Sequence, residues 1–220
     1  LKARTRRVDP AKIEAYRSTF VKHVHLLIFR AHTRLDRASL QTLHEPAITG
    51  LICQQIEAIL DDPDSPRCVD DYEIHDDPPV HDKVRQGKHR RRVDLKLASR
   101  RFRPRCRFCF EAKCLNKTAG VAEYLGSDGL GQFITGSYAA GDPQAGMLAY
   151  VQTDDYETWS SRISSKMDVK KHRITKLGSW ARCSIASELK HCFQTSHQLS
   201  KSPNDGQPII VIFHTMFACN

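Results

Sequence analysis

The spacing of apolar positions divides the chain into helices first and strands after. From Pro10 to His32, Ile13, Tyr16, Phe20, Val21, Val24, Leu27 and Ile28 recur every three to four residues, which predicts an amphipathic helix. Between Thr42 and Leu60, Ile48, Ile52, Ile56 and Ile59 form one stripe, and Pro46 suits the first turn of a second helix. Residues 61–82 are broken by four prolines and read as loop, with a short strand around Asp71 to His75. Arg90 to Leu115 reads as two strands joined by a basic turn at Pro104. Leu130, Phe133, Ile134 and Tyr138 predict a short helix, and Ala145 to Thr153 a strand with Met147, Ala149 and Val151 on one face. A helix is expected from Asp154 to about Ile174, more helix through Trp180, Ile185, Leu189 and Phe193, a turn over Ser200 to Gln207, and a buried closing strand over 208–217.

This order gives an α/β protein in which a strand, a helical crossover and a strand form a parallel pair. Residues 1–40 are expected to be a helical N-terminal extension and 41–220 the domain proper. At 220 residues the chain suffices for one sizeable core. No apolar run reaches the ~20 residues of a membrane span, and residues 1–10 lack the apolar segment of a secretory signal. A cytoplasmic protein is the expectation. Its eight cysteines then read as free thiols. A zinc site at Cys106 and Cys109, which would make the chain an interaction module, is disfavoured because the two point to opposite faces of a strand.

Charge changes the picture more than composition does. Residues 83–107 carry twelve Lys or Arg against one acid, Asp94, whereas the rest of the chain is close to neutral. A positive field so concentrated suits a polyphosphate partner. The bland counterpart is a solvated basic hairpin or protein-docking surface. Asp71, Glu73 and Asp76 in the preceding acidic stretch read better as neutralising that basic stretch than as ligands.

Within the basic hairpin lies the candidate chemistry. Alternation along 107–114 places Arg107, Cys109, Glu111 and Lys113 on one face and Cys106, Phe108, Phe110, Ala112 and Cys114 on the other, which is the core face. Glu111 with Asp94 from the neighbouring strand could hold a hard divalent cation, and Lys113 beside them could polarise a water or a phosphate oxygen. Glu45 lies in line with the apolar stripe of the second helix, where an acid is either paired inward or stays wet in the first turn.

An Asp followed across two strands by Glu-x-Lys, here Asp94 and Glu111-Ala112-Lys113 with 16 residues between the acids, resembles the PD-(D/E)XK nuclease superfamily. Val93 stands where the name-giving motif has Pro. The resemblance implies a restriction-endonuclease-like mixed sheet with an α-β-β-β-α-β core, matched in order over 43–153. It further implies metal-dependent phosphodiester hydrolysis, DNA favoured, with Mg²⁺ or Mn²⁺ held by Asp94, Glu111 and the Ala112 carbonyl. Lys113 would act on the attacking water, and Glu45 would be an auxiliary acid. Arg90, Arg91, Arg92, Arg101, Arg103 and Arg105 would grip the nucleic-acid backbone, with Gln132 and Tyr138 as contacts from the following helix. A protein partner or homo-oligomer is expected, as for the effector of a bacterial defence or repair complex. The rival is a nucleic-acid-binding or assembly subunit that keeps the fold and cuts nothing.

Overall fold

The computed structural model describes residues 9–80, 87–116, 120–139, 141–175, 178–200 and 208–220. The first helix, α1 (Pro10–Thr33), starts where the Asp9 carboxylate accepts from the Ala11 amide at 2.9 Å. A single turn, α2 (Arg37–Leu40), leads to α3 (Glu45–Leu60), which is capped by His44 and carries Pro46 in its first turn. Then come β1 (Tyr72–Asp76), β2 (Leu95–Ser99), β3 (Arg107–Leu115), the short helices α4 (Gly120–Leu125) and α5 (Leu130–Ile134), and β4 (Gln144–Val151). After them follow α6 (Tyr156–Lys166), β5 (Ala181–Arg182), β6 (Cys192–Gln198) and β7 (Ile209–Ala218).

The strands form one mixed seven-stranded sheet in the order β1-β2-β3-β4-β7-β6-β5. Pairing is antiparallel from β1 to β3, parallel from β3 through β4 to β7, and antiparallel again through β6 to β5. Helices cover both faces. On one, α1 and α3 pack Phe20, Leu27, Ile48, Ile52 and Ile56 against Phe108, Phe110, Leu148 and Tyr150. On the other, α4, α5 and α6 pack Tyr124, Leu130, Phe133 and Trp159 against Met147, Ala149 and Ile212. The strands β4 and β7 are apolar on both faces because they lie inside the sheet with helices above and below.

The helix α1 packs on the domain, with Phe20, Val24, Leu27, Ile28 and Ala31 in the same buried cluster as the sheet. Two expectations need correction. The helix expected to run to Ile174 stops at Lys166: the Asp168 carboxylate accepts from the Lys171 amide at 2.6 Å and opens a separate turn. The helix expected around 180–193 is replaced by β5 and β6. The inward residues of β6 disguise it as polar chain, for Thr195 and His197 are buried and satisfied by each other and by His214 and the His172 carbonyl. The turn expected over 200–207 lies outside the described residues beyond Ser200.

Candidate active site

Asp94 immediately precedes β2, and the register Leu95↔Phe110 sets it opposite Glu111 on β3. The Ala112 amide donates to Asp94 Oδ2 at 2.6 Å, tying the acid to the middle of the Glu-x-Lys segment. Beyond Phe110, β3 has only β4 as a partner, so its last residues run past the start of β2. Into that gap Lys113 sends its ammonium, which donates to Glu111 Oε1 at 2.8 Å, to the Ala112 carbonyl at 2.7 Å and to Glu45 Oε1 at 3.2 Å. Glu45 reaches it from the first turn of α3. The structure therefore brings Asp94, Glu111, Ala112, Lys113 and Glu45 together, and the inward reading of Glu45 is the one it adopts.

Burial makes this cluster electrostatically tense. The Glu111 side chain is 6% exposed and Lys113's is 12%. Desolvation, reinforced by Asp94, pushes Glu111 up to about 8. Burial also raises Asp94, though the Ala112 amide and Lys113 oppose it, and burial raises Glu45 against the pull of Lys113. For Lys113 burial acts downward, but Glu111 and Glu45 overcome it and the ammonium is raised. Three carboxyls thus face one cation, and a proton held on Glu111 relieves the repulsion.

Glu111 Oε2 is buried and accepts no hydrogen bond, and it lies beside the Asp94 carboxylate, to which a protonated Glu111 donates. An acceptor left bare beside a second carboxylate is what a hard cation would satisfy. Among the described residues no group of three or more His, Cys, Asp or Glu is placed to hold a metal. Two carboxylates and a carbonyl are all hard oxygen donors, the kind Mg²⁺ takes in small number while keeping several waters, and the carbonyl is here occupied by Lys113. A pocket of about 290 Å³ lined by Pro46, Thr49, Asp76, Asp77 and Asp94 opens beside these groups.

The arginines do not form one set. Arg90, Arg91 and Arg92 lie just upstream of Asp94, where Arg91 donates to Ser137 and Arg92 pairs with Asp77. Arg101, Arg103 and Arg105 lie in the turn at the opposite end of the β2–β3 hairpin, about 20 Å away at the rise of a strand. There Arg101 stands 4.0 Å from Asp71, and Arg100 and Arg105 share Glu73 at 3.3 Å each. Asp71 and Glu73 thus neutralise arginines, whereas Asp76 lines the pocket beside Asp94. Lys83 and Arg85 lie outside the described residues.

Tyr138 is not helical, because Gly136 at φ +69° ends the turn after α5, but it is buried on Phe133. Its phenol is raised by burial and then by Glu111 and Asp94, which places it near the carboxylates. Gln132 is half-buried on α5 and reaches Asp128 at a long 3.4 Å. The residue that pattern reading misses is Asp77. Its amide donates to the Asp94 carbonyl at 3.0 Å from a left-handed backbone at φ +43°, and an Asp ahead of Pro78-Pro79 was the available signal.

Among the described residues no helix is long and apolar enough to cross a membrane. No known family's model matches the chain, and neither a curated protein nor a solved structure does.

Proposed function

We propose that this chain is a metal-dependent nuclease of the PD-(D/E)XK type, cutting nucleic-acid phosphodiesters, DNA in the first place. The observation that carries the reading is the convergence of Asp94, Glu111, the Ala112 carbonyl and Lys113 at one point, with Glu111 Oε2 buried and accepting no hydrogen bond. The order α3, β1, β2, β3, α4 with α5, β4 supports a restriction-endonuclease-like core.

Asp94, Glu111 and the Ala112 carbonyl would hold Mg²⁺ or Mn²⁺, which when bound supplies Lewis acidity and lowers the pKa of water. Lys113 does the rest of the electrostatic work. Its ammonium has its three hydrogens on Glu111, the Ala112 carbonyl and Glu45, so it would have to release one of them, the Ala112 carbonyl being the one a cation would take over, to donate to an attacking water or to a phosphoryl oxygen as negative charge builds there. Glu45 keeps that ammonium charged and aimed. The Ala112 amide holds Asp94 in place through Oδ2. Arg90, Arg91 and Arg92 sit close enough to grip the backbone of the same strand, which adds affinity without sequence reading.

One observation favours a second reading, a nucleic-acid-binding subunit without activity. Lys113 already occupies the Ala112 carbonyl and Glu111 Oε1, so the ammonium itself partly satisfies the acids. The two are separated by incubating plasmid, linear duplex, single-stranded DNA and RNA with the protein in Mg²⁺ or Mn²⁺, beside Lys113→Ala and Asp94→Ala. The nuclease reading expects cleavage by the parent, a loss of at least a hundredfold in both variants, and divalent-metal binding abolished by Asp94→Ala. Binding by all three proteins with cleavage by none would establish the inactive subunit.

A further inference from the structure

The paired strands β1, β2 and β3 present cross-strand rows of side chains on the face that carries Glu111. Register places Glu73, Ala98 and Arg107 in one row and His75, Lys96 and Cys109 in the next. Continuing the same register gives Asp77, Asp94 and Glu111, which is the row of the candidate carboxylates; the Asp77 amide indeed donates to the Asp94 carbonyl. The first two rows floor a cleft of about 300 Å³, walled by Arg105 and by Ser137, the residue that also receives Arg91. The carboxylates lie one cross-strand row beyond this floor, with Pro79 and Val80 also lining the cleft.

Its cations are unequal. Arg105 is held by Glu73, which Arg100 neutralises as well. Lys96 is half-buried at the centre of the floor and makes no ion pair or hydrogen bond among the described residues, and neither does Arg107. Asp142 is the opposing acid; burial pushes it up to about 6, while Arg107 and Arg17 hold it down. An ammonium kept out of bulk water with no partner, in a concavity, is a site for an anion. Two residues along a strand amount to about 7 Å, so Lys96 stands one such step from Asp94 and Glu111, and Arg107 two. That step is comparable to the one between successive phosphates of an extended nucleic-acid strand.

We propose that Lys96 and Arg107 form a phosphate-binding track that holds the nucleic-acid strand beside the phosphodiester to be cut. It rests on the nuclease reading for its direction, but binding can be measured without catalysis. The full chain is titrated with short fluorescent single-stranded DNA and RNA in the absence of divalent metal, at several salt concentrations. Lys96→Met and Arg107→Gln are compared with Lys166→Gln, an equal charge change on the surface of α6, and with Lys96→Arg; circular dichroism establishes that each is folded. Lys96→Met and Arg107→Gln should each weaken binding about tenfold and reduce the salt dependence by about one phosphate contact. Lys166→Gln should leave binding unchanged and Lys96→Arg should restore it. A folded Lys96→Met that binds like the parent overturns the track, as does a mononucleotide or inorganic phosphate that competes as strongly as the oligonucleotide. Cleavage that needs Lys113 but ignores Lys96 would remove the track and keep the nuclease. Binding that needs Lys96 without cleavage by any variant would keep the track and remove the nuclease.

Discussion

Four buried histidines and one buried glutamate pull stability in opposite directions as pH changes. Burial lowers His25, His32 and His197 from near 6.5 to about 4, and His214 well below its ordinary value. A base depressed by folding stabilises fully above its unfolded pKa and loses that contribution as pH falls below it. Each titrating group changes stability by at most about 1.4 kcal/mol per pH unit, so four together approach ~6 kcal/mol per unit. Glu111 runs the other way: raised from near 4.5 to about 8, it stabilises fully below the lower value and loses its contribution as pH rises through the higher. Between 4.5 and 6.5 the histidines outweigh Glu111 and the raised Asp94, Glu45 and Asp142 carboxyls, and above 6.5 Glu111 is the main contribution. The metal-free protein should therefore have its highest melting temperature near pH 6.5, with a steep acid side and a shallow decline up to about pH 8. Thermal melts across pH check this, and Glu111→Gln should flatten the alkaline side and slightly steepen the acid side above about pH 4.5.

Among the elements, β3 and β4 depend on a missing side chain. Gly146 is paired with Phe110, and a methyl group there would overlap that buried ring and press on Phe108. Gly146→Ala should destabilise the protein by about 1 to 3 kcal/mol, as overpacking does; urea unfolding measures it. Periodicity exposes an element when its buried positions are apolar, which is why α1, α3, β4 and β7 are legible from the chain alone. The strand β6 is not, because Thr195 and His197 face inward and only their hydrogen bonds show why that is tolerated. The candidate site is legible to the extent that strand alternation puts Glu111 and Lys113 side by side. The meeting with Glu45 requires knowing that α3 begins near the free end of β3. Nor does sequence proximity reveal that the β2–β3 hairpin sends Arg90 to Arg92 and Arg101 to Arg105 to opposite ends, or that Lys96 is unpaired on the floor of a cleft.

The molecule as a whole hangs on β7. It lies between β4 and β6 and pairs with both, Thr215 being opposite Leu148 on one side and Cys192 on the other. A proline there would remove ladder bonding at the centre of the sheet. Thr215→Pro should cost more than about 3 kcal/mol and abolish cooperative urea unfolding, whereas Ala181→Pro in the two-residue edge strand β5 should cost a fraction of that. The same placement sets the order of events on the ribosome. Of the described strands β7 is translated last, yet β5 and β6 reach the rest of the sheet only through it. Until it emerges, a nascent chain carries the long apolar flank of β4 unpaired and β6 with no neighbour on its inner side. A chain in which β7 is not yet in place therefore presents two unpaired strand edges at once, the kind of surface on which partly folded chains associate.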